Sequence, residues 1–251
     1  MFYRKLITFA AVLSLAVTAS LTASAASSRT STKADSAAQG SRSHRGARVI
    51  QPLNIAILIQ DDLTSQVSNE LGVTRDFIRN LPKGSQVMVG YITSGTLQVR
   101  QQFTADLDRA ARSLRIVRSS TSASPFNPYV EVVEALRCFN NLKGEKAVLL
   151  ISDGLDTSRG FDSSSIRTLD LDRAVKHANE RDVAVYTFYA PSVGLTSRSR
   201  QAASYGQSSL NYLADETGGK AFFQGMTGFV TFDSYFEALK QTLNGQFDRA
   251  S

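Results

Sequence analysis

The chain has 251 residues, 42% of them hydrophobic and 20% charged, which excludes a disordered protein and allows one sizeable core. Trp is absent, and one Cys and two His argue against disulfide scaffolds, zinc fingers and His-rich catalytic centres. The net charge of +6 resides in the N-terminal segments, because from Val49 onward 21 Lys and Arg balance 21 Asp and Glu. A nucleic-acid partner is therefore not expected.

Met1 to Ala25 has the pattern of a secretory signal: Arg4 and Lys5, an apolar run from Leu6 to Leu21, then Ala23-Ser24-Ala25 as a cleavage site. An uncleaved anchor is the alternative, but the apolar run is short for a bilayer span. Residues 26–48, rich in Ser, Ala, Gly and Arg, read as a flexible basic linker. Residues 49–251 read as one domain with no transmembrane span, secreted or periplasmic. Cys138 reads as a buried, inert thiol in an oxidising compartment.

Strand and helix patterns alternate through the domain. Ile55 to Ile59 is a short apolar run, as expected of a strand buried on both faces. Val73, Phe77, Ile78 and Leu81 predict a helix that ends at Pro82-Lys83-Gly84. Val87 to Ile92 and Leu97 to Phe103, joined by Ser94-Gly95, predict a hairpin. Leu107, Ala110, Ala111 and Leu114 have helical spacing. Asn127-Pro128 reads as a cap and first residue of a helix carrying Tyr129, Val132, Val133, Leu136 and Phe139 inward. A strand from Ala147 to Ile151 runs into Ser152-Asp153-Gly154. Leu171, Ala174, Val175 and Ala178 predict a helix, and Val183 to Tyr189 a strand. Pro191 to Gln207 reads as a long polar loop before a helix with Leu210, Leu213 and Ala214, capped by Gly218-Gly219. Ala221 to Phe223 and a helix with Phe232, Tyr235, Phe236, Leu239 and Leu243 close the chain. The order specifies an α/β, doubly wound, mostly parallel sheet with helices on both faces and one antiparallel edge strand.

Ligands of such sheets bind at the carboxyl ends of the strands. Asp61 and Asp62 follow the first strand and Asp153 the fourth. With Thr64 and Ser65 they form an oxygen-only set suited to Mg²⁺ or Mn²⁺, or else they cap helices and turns.

The run 55–65, the segment 152–158 and the closing segment 213–223 resemble a von Willebrand factor A domain, most closely the secreted VWFA-related proteins of Acidobacteria. The resemblance covers about Asn54 to Phe247 and implies a Rossmann-like fold. It also implies a metal-ion-dependent adhesion site, whose family pattern is Asp-x-Ser-x-Ser after the first strand, a Thr before a central helix, and the Asp of Asp-Gly after the fourth strand. Carried onto this chain, the metal set is Asp61, Ser65, Ser124 and Asp153, with Leu63 breaking the motif. In the frame shifted by one residue, Asp62 and Thr64 fit but Gln66 fails. Asn127 is the other candidate for the Thr position. Mg²⁺ or Mn²⁺ is the one cofactor left open.

The expected function is an adhesion or protein-interaction module that recognises an envelope or extracellular protein. Asp62, Thr64, Asn127, Arg198, Arg200 and Tyr205 are its candidate contact residues. The alternatives are a cryptic metal-dependent hydrolase and a purely structural domain with a vestigial site. No Gly-x-Ser-x-Gly elbow, P-loop or dinucleotide fingerprint supports an enzyme, and His177 sits on a helix beside Lys176 in no catalytic context.

Overall fold

Eight consecutive buried residues, Leu53–Gln60, form β1 at the centre of a six-stranded sheet. The computed structural model describes residues 53–119, 127–158, 160, 167–223 and 231–247; the expected signal 1–25, the linker 26–48 and Ser124 lie outside them. After β1 come α1 (Gln66–Asn69), α2 (Leu71–Arg79), β2 (Gln86–Thr93), β3 (Thr96–Thr104) and α3 (Leu107–Arg112). Then follow α4 (Pro128–Arg137), β4 (Glu145–Ser152), α5 (Leu169–Glu180), β5 (Ala184–Tyr189), α6 (Leu195–Arg198), α7 (Arg200–Glu216), β6 (Ala221–Phe222) and α8 (Asp233–Phe247).

The strand order is β3-β2-β1-β4-β5-β6, and every pairing is parallel except β2 with β3. That one antiparallel pair turns at Ser94 and Gly95, both at positive φ (50° and 70°), as a two-residue hairpin requires. Side chains on the two faces of β1 enter separate cores. Ile55, Ile57 and Ile59 pack with residues of α2, α3 and α8, while Ala56 and Leu58 pack with residues of α4, α5 and α7. The strands are thus covered on both sides, which is why they read as continuous apolar runs.

Caps fix the helices that return from the sheet. The Asn127 side chain accepts from Tyr129 N, with Pro128 at the first helical position of α4, and Thr168 accepts from Leu171 N to start α5. Two expectations are corrected. The segment expected as a loop over 191–207 is mostly helical, with α6 and then α7 from Arg200. Its buried side is small, Ala202, Ala203 and Gly206, so no large apolar side chain marks the period until Leu210. Cys138 is half-buried at the end of α4, and burial pushes its thiol pKa up. Among the described residues no helix is long and apolar enough to cross a membrane.

Candidate functional site at the carboxyl edge of the sheet

Strand alternation separates the two residues that end β1. Gln60 follows Ala56 and Leu58 in parity, and Asp61 follows Ile57 and Ile59, so they leave on opposite faces. The Gln60 side chain turns to β4. Its Oε1 accepts from Ser152 Oγ (2.6 Å) and from Asp153 N (3.1 Å), while Nε2 donates to Asp62 Oδ1 (2.7 Å).

Asp61 goes the other way. Arg115 donates to both of its carboxylate oxygens, Thr93 Oγ1 donates to Oδ2 (3.0 Å) and Arg118 N to Oδ1 (3.1 Å). The Asp61 carbonyl accepts from Arg118 N and Ser119 N, so the residue fastens the segment after α3 to the end of β1. Arg115 lies over the Tyr91 ring, 4.1 Å from its centroid. Burial alone would raise the Asp61 pKa, but the hydrogen bonds from Arg115, Arg118 N and Thr93 outweigh it and hold the carboxyl below its usual value.

Asp153 is buried, 4% exposed, on the other side. Its Oδ1 accepts from Leu155 N (3.1 Å) and its Oδ2 from Thr196 Oγ1 (3.2 Å). Above it the loop after β1 and the loop after β5 are stitched together: Thr64 N donates to Pro191 O (3.0 Å), Val193 N to Asp62 O (2.8 Å), and Leu63 bridges Ser192. Burial, then the charge of Asp153, raises the Asp62 carboxyl to about 6, and burial raises Asp153 as well.

The turn carrying Asp153 is locked by backbone contact. Gly154 has φ +73°, its carbonyl accepts from Tyr129 Oη (2.5 Å), and a Cβ added at Gly206 of α7 would lie 1.9 Å from the Asp153 carbonyl oxygen.

The expected site residues therefore separate. Asp62 and Asp153 are neighbours, joined through Gln60, whereas Asp61 shares no bonding partner with Asp153. Ser65 is exposed at the start of α1 and makes no side-chain cap. Leu63, expected beside a hydrated ion, is instead buried in the core on the α2 face with Val67 and Leu71. Asn127 is spent within the fold: besides capping α4, its Nδ2 donates to Asp156 (3.0 Å) and Asp170 (2.9 Å). Arg198 and Arg200 are exposed at the same edge, on helices, and Tyr205 is half-buried on α7. Sequence reasoning missed Gln60, Arg115, Ser192 and Thr196. Parity from the apolar run of β1 was a signal for Gln60; nothing local marks the other three.

The sequence matches no protein-family model and no curated protein. Solved structures do resemble it. BatB from Bacteroides thetaiotaomicron superposes with a TM-score of 0.56 at 13% identity, covering 78% of this chain and 99% of that one. An aerotolerance-related membrane protein from Bacteroides fragilis gives 0.52 at 14%, covering 77% and 99%. A von Willebrand factor type A protein from Catenulispora acidiphila gives 0.50 at 18%, with 76% of this chain on 43% of that one. Together with the six-stranded sheet and its single antiparallel edge, these define the architecture. The chain has the von Willebrand factor A fold. At these identities the likeness is one of fold alone.

The fold raises the question of a divalent cation, and the residues present do not fit one in the family's manner. Both Asp61 oxygens are held by a guanidinium. Both Asp153 oxygens already accept hydrogen bonds, and an amide N–H is directed at Asp62. Hard cations need several free oxygens at one point, and here both oxygens of Asp61, both of Asp153 and one of Asp62 already have donors.

Proposed function

We propose that the domain is a protein-interaction module of the von Willebrand factor A type, not an enzyme, which meets another envelope or extracellular protein with the loops at the carboxyl edge of its sheet. One observation carries this reading. All five exposed large apolar residues among those described belong to that edge: Ile116 (70% exposed), Val130, Leu169 (72%), Leu195 and Phe223. Ile116 lies beside the Asp61 clamp, Val130, Leu169 and Leu195 open helices that return from the edge, and Phe223 follows β6. Apolar side chains scattered at random would not all fall at one end of a sheet, and exposed apolar side chains among polar groups are the usual composition of a contact surface.

Arg118, Arg198 and Arg200 stand at the same edge. Buried and hydrogen-bonded, Asp153 is poorly placed to act as a catalytic base. We also read 1–25 as a secretory signal and 26–48 as a basic tether, placing the domain in the periplasm or outside the cell.

Affinity capture by the full chain, from envelope extracts of its source cells in EDTA, tests the reading. Leu195→Asp and Ile116→Asp should each lose the captured protein while keeping the wild-type melting temperature. Capture that both variants retain would sink it.

A further inference from the structure

We infer that Gln60 takes the place of a cation in this fold: its carboxamide, held between β1 and β4, supplies the positive end that keeps Asp62 and Asp153 together, and its neutrality keeps divalent metal out. The inference rests on the engaged oxygens of Asp61 and Asp153 and on the Gln60 N–H directed at Asp62, and is independent of any partner.

Gln60 is the last residue of β1 and only 1% exposed. The direction of its amide is fixed by chemistry. Asp153 N–H can only donate, so the atom 3.1 Å from it is the carbonyl oxygen, and the nitrogen must face Asp62. The same oxygen accepts from Ser152 Oγ, whose hydroxyl oxygen accepts in turn from Gly154 N (3.0 Å). One side chain thus binds the end of β1, the loop after it and the Asp153–Gly154 turn.

A bound cation at this point would draw carboxylates together and offset their repulsion. The Gln60 N–H does part of this with a fixed partial charge, 2.7 Å from Asp62 Oδ1. A carboxylate at position 60 would reverse the arrangement. It would lose the donor to Asp62 and place a third negative charge against two acids that are both already raised, Asp62 in part by the charge of Asp153. Such a site would hold together only around a cation. The family pattern has Asp at the head of its first motif. In this chain the position whose side chain reaches Asp153 holds Gln, and the nearest Asp, Asp61, is committed to Arg115.

The test uses the full chain and Mn²⁺ alone. Wild type should melt within about 1 °C of the same temperature in EDTA and in millimolar Mn²⁺, and should leave the free-Mn²⁺ electron paramagnetic resonance signal intact. Gln60→Asp, and the double variant Gln60→Asp/Asp62→Ser that restores an Asp-x-Ser-x-Thr run with Thr64, should gain a site. Mn²⁺ at about 100 times its dissociation constant should raise their melting temperature by roughly 5–10 °C, and adding Asp153→Asn should abolish the rise. A variant unfolded in EDTA that folds on adding Mn²⁺ supports the inference equally. Overturning results are a wild-type rise that Asp153→Asn removes, or no response to Mn²⁺ from either variant, folded or not.

Discussion

Arg115 grips both carboxylate oxygens of Asp61, with Nη1 2.7 Å from Oδ1 and Nη2 2.8 Å from Oδ2, across 54 residues of sequence. The pair is set into the sheet edge, its side chains 22% and 5% exposed. Bidentate geometry and partial burial place it well above an exposed ion pair in strength. Asp61 is thereby a structural residue that holds residues 115–119 against β1 and β2.

Arg115→Met should therefore destabilise the domain by about 2–4 kcal/mol at pH 7, because it leaves a buried carboxylate without its partner. The pH dependence identifies the cause. Asp61 has a lowered folded-state pKa, so its contribution is present above the unfolded value near 3.8 and is lost as pH falls through the folded one. Urea midpoints of wild type and variant should converge as pH drops below about 4. A gap that stays constant with pH would show that packing of Arg115 on Tyr91 matters and the charge does not.

Asp62 should act with the opposite sign. Burial and then Asp153 raise its pKa from 3.8 to about 6, so the folded state takes up a proton that the unfolded state has released. Stability from this group is full below pH 3.8 and is lost as pH rises through 6. Asp62→Asn should flatten that loss, gaining about 2 kcal/mol at pH 7 after allowance for partial exposure. Because Asp153 is raised too, the carboxyls titrate as a pair. A carboxyl ¹³C titration checks the prediction directly: a midpoint near the ordinary value for both acids would remove its basis.

The sheet was legible because its information is local. Continuous apolar runs mark β1, β4 and β5, and Ser94-Gly95 and Asn127-Pro128 mark a turn and a helix start wherever they occur. The site was less so. Choosing Asp61 as the residue facing Asp153 followed residue type, whereas the period of two along β1 assigns that face to Gln60. The partner of Asp61 could not be read at all, since a surface arginine and a clamping arginine have the same sequence signature. The first half of α7 was obscured for a different reason: its buried side is made of small residues, Ala202, Ala203 and Gly206, with Gly206 in close backbone contact with the Asp153–Gly154 turn, and a search for large apolar residues passes over them.

That contact gives the last prediction, in which one substitution has opposite effects at two helical glycines. Alanine favours a helix over glycine by about 1 kcal/mol. At Gly72, exposed in α2, an added Cβ meets nothing within 4 Å, so Gly72→Ala should stabilise by about 0.5–1 kcal/mol. At Gly206 the same Cβ would come within 1.9 Å of the Asp153 carbonyl oxygen and 3.1 Å of its carbon. Backbone atoms cannot turn aside as a flexible side chain can, so α7 must move off the Asp153–Gly154 turn. That displacement outweighs the propensity gain, and Gly206→Ala should cost about 2–3 kcal/mol net. Faster amide hydrogen exchange should follow at Gly154 and Leu155, which the turn holds, while exchange in α2 stays unchanged. Equal stabilisation by the two alanines would mean that α7 and the β4 turn are not in contact in solution.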